Sequence, residues 1–161
     1  MPTPSHLSIL RGISRSLIWI GAAGIVLIGS PAAAAICTIG DGSLAFGSLL
    51  GFAPTTTLNG SGAFTVTCTA SAPYTLALDK GFGRSIGSRL MKMTGGSATI
   101  AYQMYQDVGH STVFGDGTTG SAKSGVGTGS AQSIDVFGQI PSQDVSAAGV
   151  YSDNITVTAI F

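Results

Sequence analysis

Beyond residue 36 the chain alternates apolar and polar positions in short runs. Phe64-Thr-Val-Thr-Cys68 sets Phe64, Val66 and Cys68 against Thr65 and Thr67, and Tyr74-Thr-Leu-Ala-Leu78 sets Tyr74, Leu76 and Leu78 against Thr75 and Ala77. Thr99–Gln106 places Ile100, Tyr102 and Met104 on one side. Ile134–Ile140 carries Ile134, Val136, Phe137 and Ile140 around Gly138, and Ile155–Phe161 puts Ile155, Val157, Ala159 and Phe161 opposite Thr156 and Thr158. A period of two, written in Thr, Val, Tyr and Phe, is the signal of a half-buried strand. Cys37–Ile39 and Leu44–Phe46 add two shorter candidates. Between the runs lie Asn59-Gly-Ser-Gly62, Asp79-Lys-Gly81, Thr94-Gly-Gly-Ser97 and Gly115-Asp-Gly117, all turn chemistry. Six or seven short strands at this spacing predict an antiparallel β-sandwich. Gly115–Gln132, GDGTTGSAKSGVGTGSAQ, has no alternation and reads as a mobile loop.

The first 35 residues follow another pattern. Met1–Ser16 carry Arg11 and Arg15 and no acid; Leu17–Gly29 has no charge; Ser30, Pro31 and Ala32–Ala35 follow. A basic start, a short apolar stretch and an A-x-A site predict a secretory signal peptide over residues 1–35. The apolar stretch would make about 20 Å of helix, too short for a ~30 Å hydrocarbon core, so no stable membrane span is expected once the leader is cleaved.

What remains, residues 36–161, is one domain of adequate size for a core. It holds Lys80, Arg84, Arg89, Lys92 and Lys123 against seven aspartates, a net charge near −2, and no glutamate. Without a basic field there is nothing to hold a phosphate backbone, which excludes nucleic acid as a partner. Low charge and 20 glycines in this part also exclude a helical bundle. Cys37 and Cys68 both lie in the exported part, where an even pair is most simply one disulfide. It would close a loop worth ~3.7 kcal/mol by chain entropy. The rival reading, a pair of metal ligands, needs two further ligands, and this part of the chain has a single histidine, His110.

Catalysis finds little support. No glutamate is present, and no Gly-x-Ser-x-Gly elbow supplies a nucleophile beside His110, which reads as a solvated loop residue. Asp107 and Asp116 flank one hairpin and could approach each other, but no calcium-loop pattern joins them. Asp41, Asp79, Asp116 and Asp153 each read as turn caps. Gly125-Val-Gly-Thr-Gly129 lacks the strand, helix and Gly-Lys-Ser/Thr of a phosphate loop. No enzyme activity and no cofactor or metal are expected.

Taken in order, the residues carry a resemblance. The chain reads Cys37-Thr-Ile, Leu44-Ala-Phe46-Gly47 and Gly62-Ala-Phe-Thr-Val-Thr-Cys68-Thr, then Pro73-Tyr74-Thr-Leu, Arg89-Leu-Met91 and Ile100-Ala-Tyr102-Gln-Met-Tyr105-Gln-Asp107. Phe114-Gly-Asp-Gly117, Phe137-Gly-Gln-Ile-Pro141 with Gln143, and Ala148-Gly-Val-Tyr151-Ser-Asp153 complete it. This order resembles the spore coat protein U domain, a family that includes subunits of archaic chaperone–usher pili. Phe114 stands where the family commonly has Trp, a conservative core change. The resemblance implies an immunoglobulin-like sandwich lacking its last strand and completed in trans by donor-strand complementation. It implies a periplasmic chaperone, an outer-membrane usher and neighbouring subunits as partners. The chain would pass through the periplasm to the cell surface and serve there in adhesion or biofilm.

The terminal run Ile155, Val157, Ala159 and Phe161 is then the expected acceptor edge, since an uncovered apolar edge is an aggregation hazard and an added strand supplies its bonds. Cleavage after Ala33 or Ala35 leaves at most three residues before Cys37. They span ~10 Å, so the expectation is a subunit that accepts a strand without donating one. The alternative is a self-sufficient secreted binding module that uses 115–132 as a contact loop. A small secreted hydrolase dependent on His110 is a third reading.

Overall fold

The computed structural model describes residues 34–47 and 57–161. The predicted leader through Ala33 therefore lies outside the described residues. Alternation becomes strand wherever it was strongest. β1 (Cys37–Ile39) and β2 (Ser43–Ala45) precede the long β3 (Leu58–Cys68); then come β4 (Pro73–Leu78), β5 (Arg89–Met93) and β6 (Thr99–Tyr105). β7 (Lys123–Val126), β8 (Ala131–Ile140), β9 (Tyr151–Ser152) and β10 (Val157–Ile160) complete the described set, with one 3₁₀ turn at Ile86–Ser88. Among the described residues no helix is long and apolar enough to cross a membrane.

Two antiparallel sheets result. The larger runs β1-β3-β8-β6-β5-β9, with β2 also paired to β3; the smaller runs β10-β4-β7. The β3–β8 ladder, from Leu58↔Ile140 to Thr67↔Ala131, is the backbone of the larger sheet. Its length follows from the even alternation of β3, which turns Phe64, Val66 and Cys68 inward and leaves Thr65 and Thr67 outside. β4 does the same with Tyr74, Leu76 and Leu78, and β6 with Ile100, Tyr102 and Met104. Between the sheets Val66, Leu76, Phe114 and Ile140 are almost wholly removed from water. Each such side chain contributes roughly 1.5–3 kcal/mol by burial alone. The Cys37–Cys68 disulfide is formed between two residues directly opposite in the β1–β3 ladder. It pins a strand of three residues that pairing alone would hold weakly.

Several local expectations change. Residues 115–132 are not one mobile loop: β7 lies inside them and β8 begins at Ala131. β7 has no apolar alternation because it joins β4 by backbone pairing, Pro73↔Val126 to Leu76↔Lys123. Its Gly125 lies against the Tyr74 ring, where a Cβ would collide. The predicted Leu44–Phe46 strand shifts back by one residue, and Phe46 leaves it to cross the sheet over Gly138. The last strand is shorter than Ile155–Phe161. His110 is not simply solvated. It is half-buried, its ring edge-on to Tyr105 at 5.0 Å, and its Nε2 has no partner among the described residues.

Asp107 and Asp116 each close their own turn. Asp107 accepts the amides of Ser111 and Thr112, and Asp116 those of Thr118 and Thr119. These backbone bonds hold both carboxyls below the usual carboxylate range. Where β8 ends, a side chain continues its work: Gln143 accepts the Ala101 amide at 2.9 Å and donates to the Ala101 carbonyl at 2.7 Å.

Candidate functional site: an open groove beside the last strand

β10 pairs with β4 from Val157↔Leu78 to Ile160↔Thr75, and among the described residues with nothing else. Just before it, Thr156 uses both its backbone groups toward the β4 side. Its carbonyl accepts from Asp79 N and its amide donates to Asp79 Oδ1. In an antiparallel ladder such residues alternate with ones whose N–H and C=O point away. The backbone groups of Val157 and Ala159 are therefore directed to the free edge. β1 approaches β10 on that side within 8 Å between Cα atoms, but no ladder joins them.

Beside this edge the two sheets part around an open groove of about 1350 Å³. That exceeds the ordinary range for small-molecule pockets, roughly 300–1000 Å³. One lip carries Leu44 and Phe46, and the other carries Ile155 and Val157. All four are half-buried, packed on the core from one side only. The floor is apolar: Met91 from β5, Ile100 and Met104 from β6, Val136 and Ile140 from β8. Phe46 lies edge-on to Tyr102, centroids 5.8 Å apart. Glycine permits this arrangement, because a Cβ at Gly138 would stand about 2.5 Å from the Phe46 ring and 2.7 Å from a Leu44 methyl.

Polar groups hold the approach to β10 in place. The Tyr102 hydroxyl donates to Asp153 Oδ2 at 2.7 Å, while Asp153 Oδ1 accepts the amides of Phe82 and Asn154. Burial, reinforced by that carboxylate, pushes the Tyr102 phenol well above its ordinary range, so it stays protonated and donating. Next to it Arg89 is fully buried. Its Nε and Nη2 both donate to the Asp79 carbonyl, at 3.0 and 2.7 Å, and Nη1 donates to Gln103 Oε1 at 2.8 Å. Burial lowers the Arg89 pKa, opposed by Tyr102, Asp79 and Asp153 nearby. Gln103 in turn donates to the Ile86 carbonyl. The knot thus ties the end of β4, the 3₁₀ turn, β5, β6 and residues 153–156 into one frame.

Of the residues expected at the acceptor edge, Ile155 and Val157 line the groove. Ala159 packs half-buried against the core further along β10, and Phe161 lies beyond the strand, 57% exposed. The opposite lip at Leu44 and Phe46, the methionine floor and the Arg89 knot were not recognised from the sequence as parts of one site. The inward alternation of Tyr102 and Met104 was the only trace of the floor. Cys37 and Cys68 are bonded to each other, which removes them as metal ligands.

The profile of the spore coat protein U domain matches residues 24–158. The match starts at Gly24, inside the apolar stretch predicted as leader. No curated protein matches the chain. Among solved structures, the chain is similar to one from the CsuC–CsuE chaperone–tip adhesion subunit pre-assembly complex of the archaic chaperone–usher Csu pili of Acinetobacter baumannii. The TM-score is 0.53 at 20% identity, over 80% of this chain and 40% of that one. At that identity the likeness establishes the fold, an all-β immunoglobulin-like arrangement of antiparallel sheets, and the chain spans 40% of the solved chain's length. The profile match over most of its length and the shared fold show that the chain belongs to the spore coat protein U domain family.

Proposed function

We propose that the chain is a structural subunit of a chaperone–usher type surface pilus or coat, and that its groove accepts a strand from another protein. The carrying observation is the free edge of β10 beside an open apolar groove. A strand laid there would meet the outward N–H and C=O groups of Val157 and Ala159. Its alternate side chains would enter the groove over Met91, Ile100 and Met104. Family membership and the similarity to a chaperone-bound tip subunit support a periplasmic chaperone as one donor and a neighbouring subunit as another. An outer-membrane usher and a route through the periplasm to the cell surface complete the reading, with adhesion or biofilm as the role. An uncovered groove of this size is the reason such a subunit would need a partner from the moment it folds.

Deuterium exchange tests this. In the full chain recovered from a periplasm without its chaperone, the Val157 and Ala159 amides should exchange fast. The chaperone complex should protect both. Amides already protected in a stable lone monomer would refute strand acceptance and favour the self-sufficient binding module. The intact mass of the same material locates leader cleavage.

A further inference from the structure

The groove discriminates by charge as well as by shape, and this rests on the strand-accepting reading above. Among its described lining residues only two are charged, Asp41 and Asp153, and none is Lys, Arg or His. Asp41 stands on the β1–β2 turn between Gly40 and Gly42, exposed and without a bonding partner. Asp153 lies across the groove on the segment entering β10, half-buried. It accepts from Tyr102 Oη and from the amides of Phe82 and Asn154, three donors that favour its charged form. The cations nearby do not answer both. Arg89 is fully buried behind Asp153 and spends its donors on the Asp79 carbonyl and Gln103, so it offsets part of the Asp153 charge only. Lys92 is exposed, whereas Met91 before it and Met93 after it are not. It therefore leaves β5 on the face away from the groove.

We infer that the occupant of this groove is an extended apolar segment flanked by basic side chains. An apolar cleft with one sign of charge at its lips focuses a negative field over a low-dielectric floor, which attracts cationic flanks and repels acidic ones. The floor itself selects little. Met91 and Met104 are flexible thioethers that adapt to differing apolar shapes, which suits a site taken in turn by more than one donor. Rejection of wrong strands would then fall to the flanking charge, where a like-charge mismatch is costly.

The test uses the full chain recovered from a periplasm and three labelled peptides. All share one alternating apolar core, and their flanks are Lys pairs, Ser pairs or Glu pairs. At low salt the Lys-flanked peptide should associate about tenfold faster than the Glu-flanked one, and the gap should close as salt shortens the screening length. Asp41→Lys should erase or invert the order. Because Asp41 is exposed and unbonded, its urea midpoint should match the unmodified protein. Equal association of the three peptides overturns the charge preference while leaving strand acceptance intact, and so does an order insensitive to Asp41→Lys. Binding of none of them overturns strand acceptance itself, and the preference with it.

Discussion

The packing of Phe46 across Gly138 gives the most direct probe of the groove's lip. Gly138→Ala introduces a Cβ about 2.5 Å from the Phe46 ring and 2.7 Å from a Leu44 methyl, both well inside van der Waals contact. Two responses are open to the molecule. If the ring stays, overpacking costs about 1–3 kcal/mol. If it swings outward, the edge-on contact with Tyr102 is lost, roughly 0.5–1.5 kcal/mol, together with part of the ring's burial. Either way the change should destabilise by about 1–2 kcal/mol. In a Phe46→Ala background the same Cβ meets only the mobile Leu44 methyl, and its cost should fall by more than half. The coupling energy of the double-mutant cycle is then about 1 kcal/mol, above the ~0.5 kcal/mol expected of independent sites. Urea unfolding followed by far-UV circular dichroism measures all four proteins. No tryptophan is available beyond Trp19, which falls in the predicted leader. Additive losses, with Gly138→Ala as harmful without Phe46 as with it, would refute the placement of that ring over β8.

Other consequences are open to similar measurement. Replacing both Cys37 and Cys68 by Ser should cost roughly 2–4 kcal/mol in urea unfolding, and an unchanged midpoint would show that β1 needs no anchor. Arg89→Met leaves the Asp79 carbonyl and Gln103 Oε1 unpaired in the interior, so about 3 kcal/mol should be lost. Arg89→Lys should not restore it, because an ammonium cannot fork across both acceptors. Asp107 and Asp116 have folded pKa values below their unfolded ones. Their contribution is therefore present above about pH 4 and is lost as pH falls through the folded values. The Asp107→Asn, Asp116→Asn double variant should lose less stability on acidification below pH 4 than the unmodified chain; an identical decline would remove the two turns from the account.

Much of the architecture is written in single-strand patterns. Phe64, Val66 and Cys68 announce β3, and Tyr74, Leu76 and Leu78 announce β4, because one face of each strand is buried and the other is wet. β7 could not be read this way. Lys123, Ser124 and Gly125 carry no apolar code; the strand exists because β4 offers an edge and because Tyr74 needs a glycine beneath its ring. β5 was hidden by Arg89, a charge placed where alternation demands an apolar residue, since its partners are a carbonyl and an amide distant in sequence. The groove is a property of pairing, and pairing is not a local quantity. Val157 looks alike in a complete sandwich and in one with a free edge, and only the strand order β10-β4-β7 distinguishes them. The polar knot was half visible: Asp79 and Asp153 read as turn caps, which they are, while their joint hold on the start of β10 required the fold.

The side-chain amide of Gln143, bonded to both backbone groups of Ala101, makes the limit of the β6–β8 ladder depend on one residue and not on the course of the chain. A main-chain partner would have forced Ile140 and the residues after it to stay in register with β6. A glutamine on a tether requires only that its own position be kept. The segment between Gln143 and Tyr151 is thereby released from sheet geometry. It can lengthen, shorten or change composition among relatives without unzipping the core, which makes it the natural place for divergence along this rim of the groove.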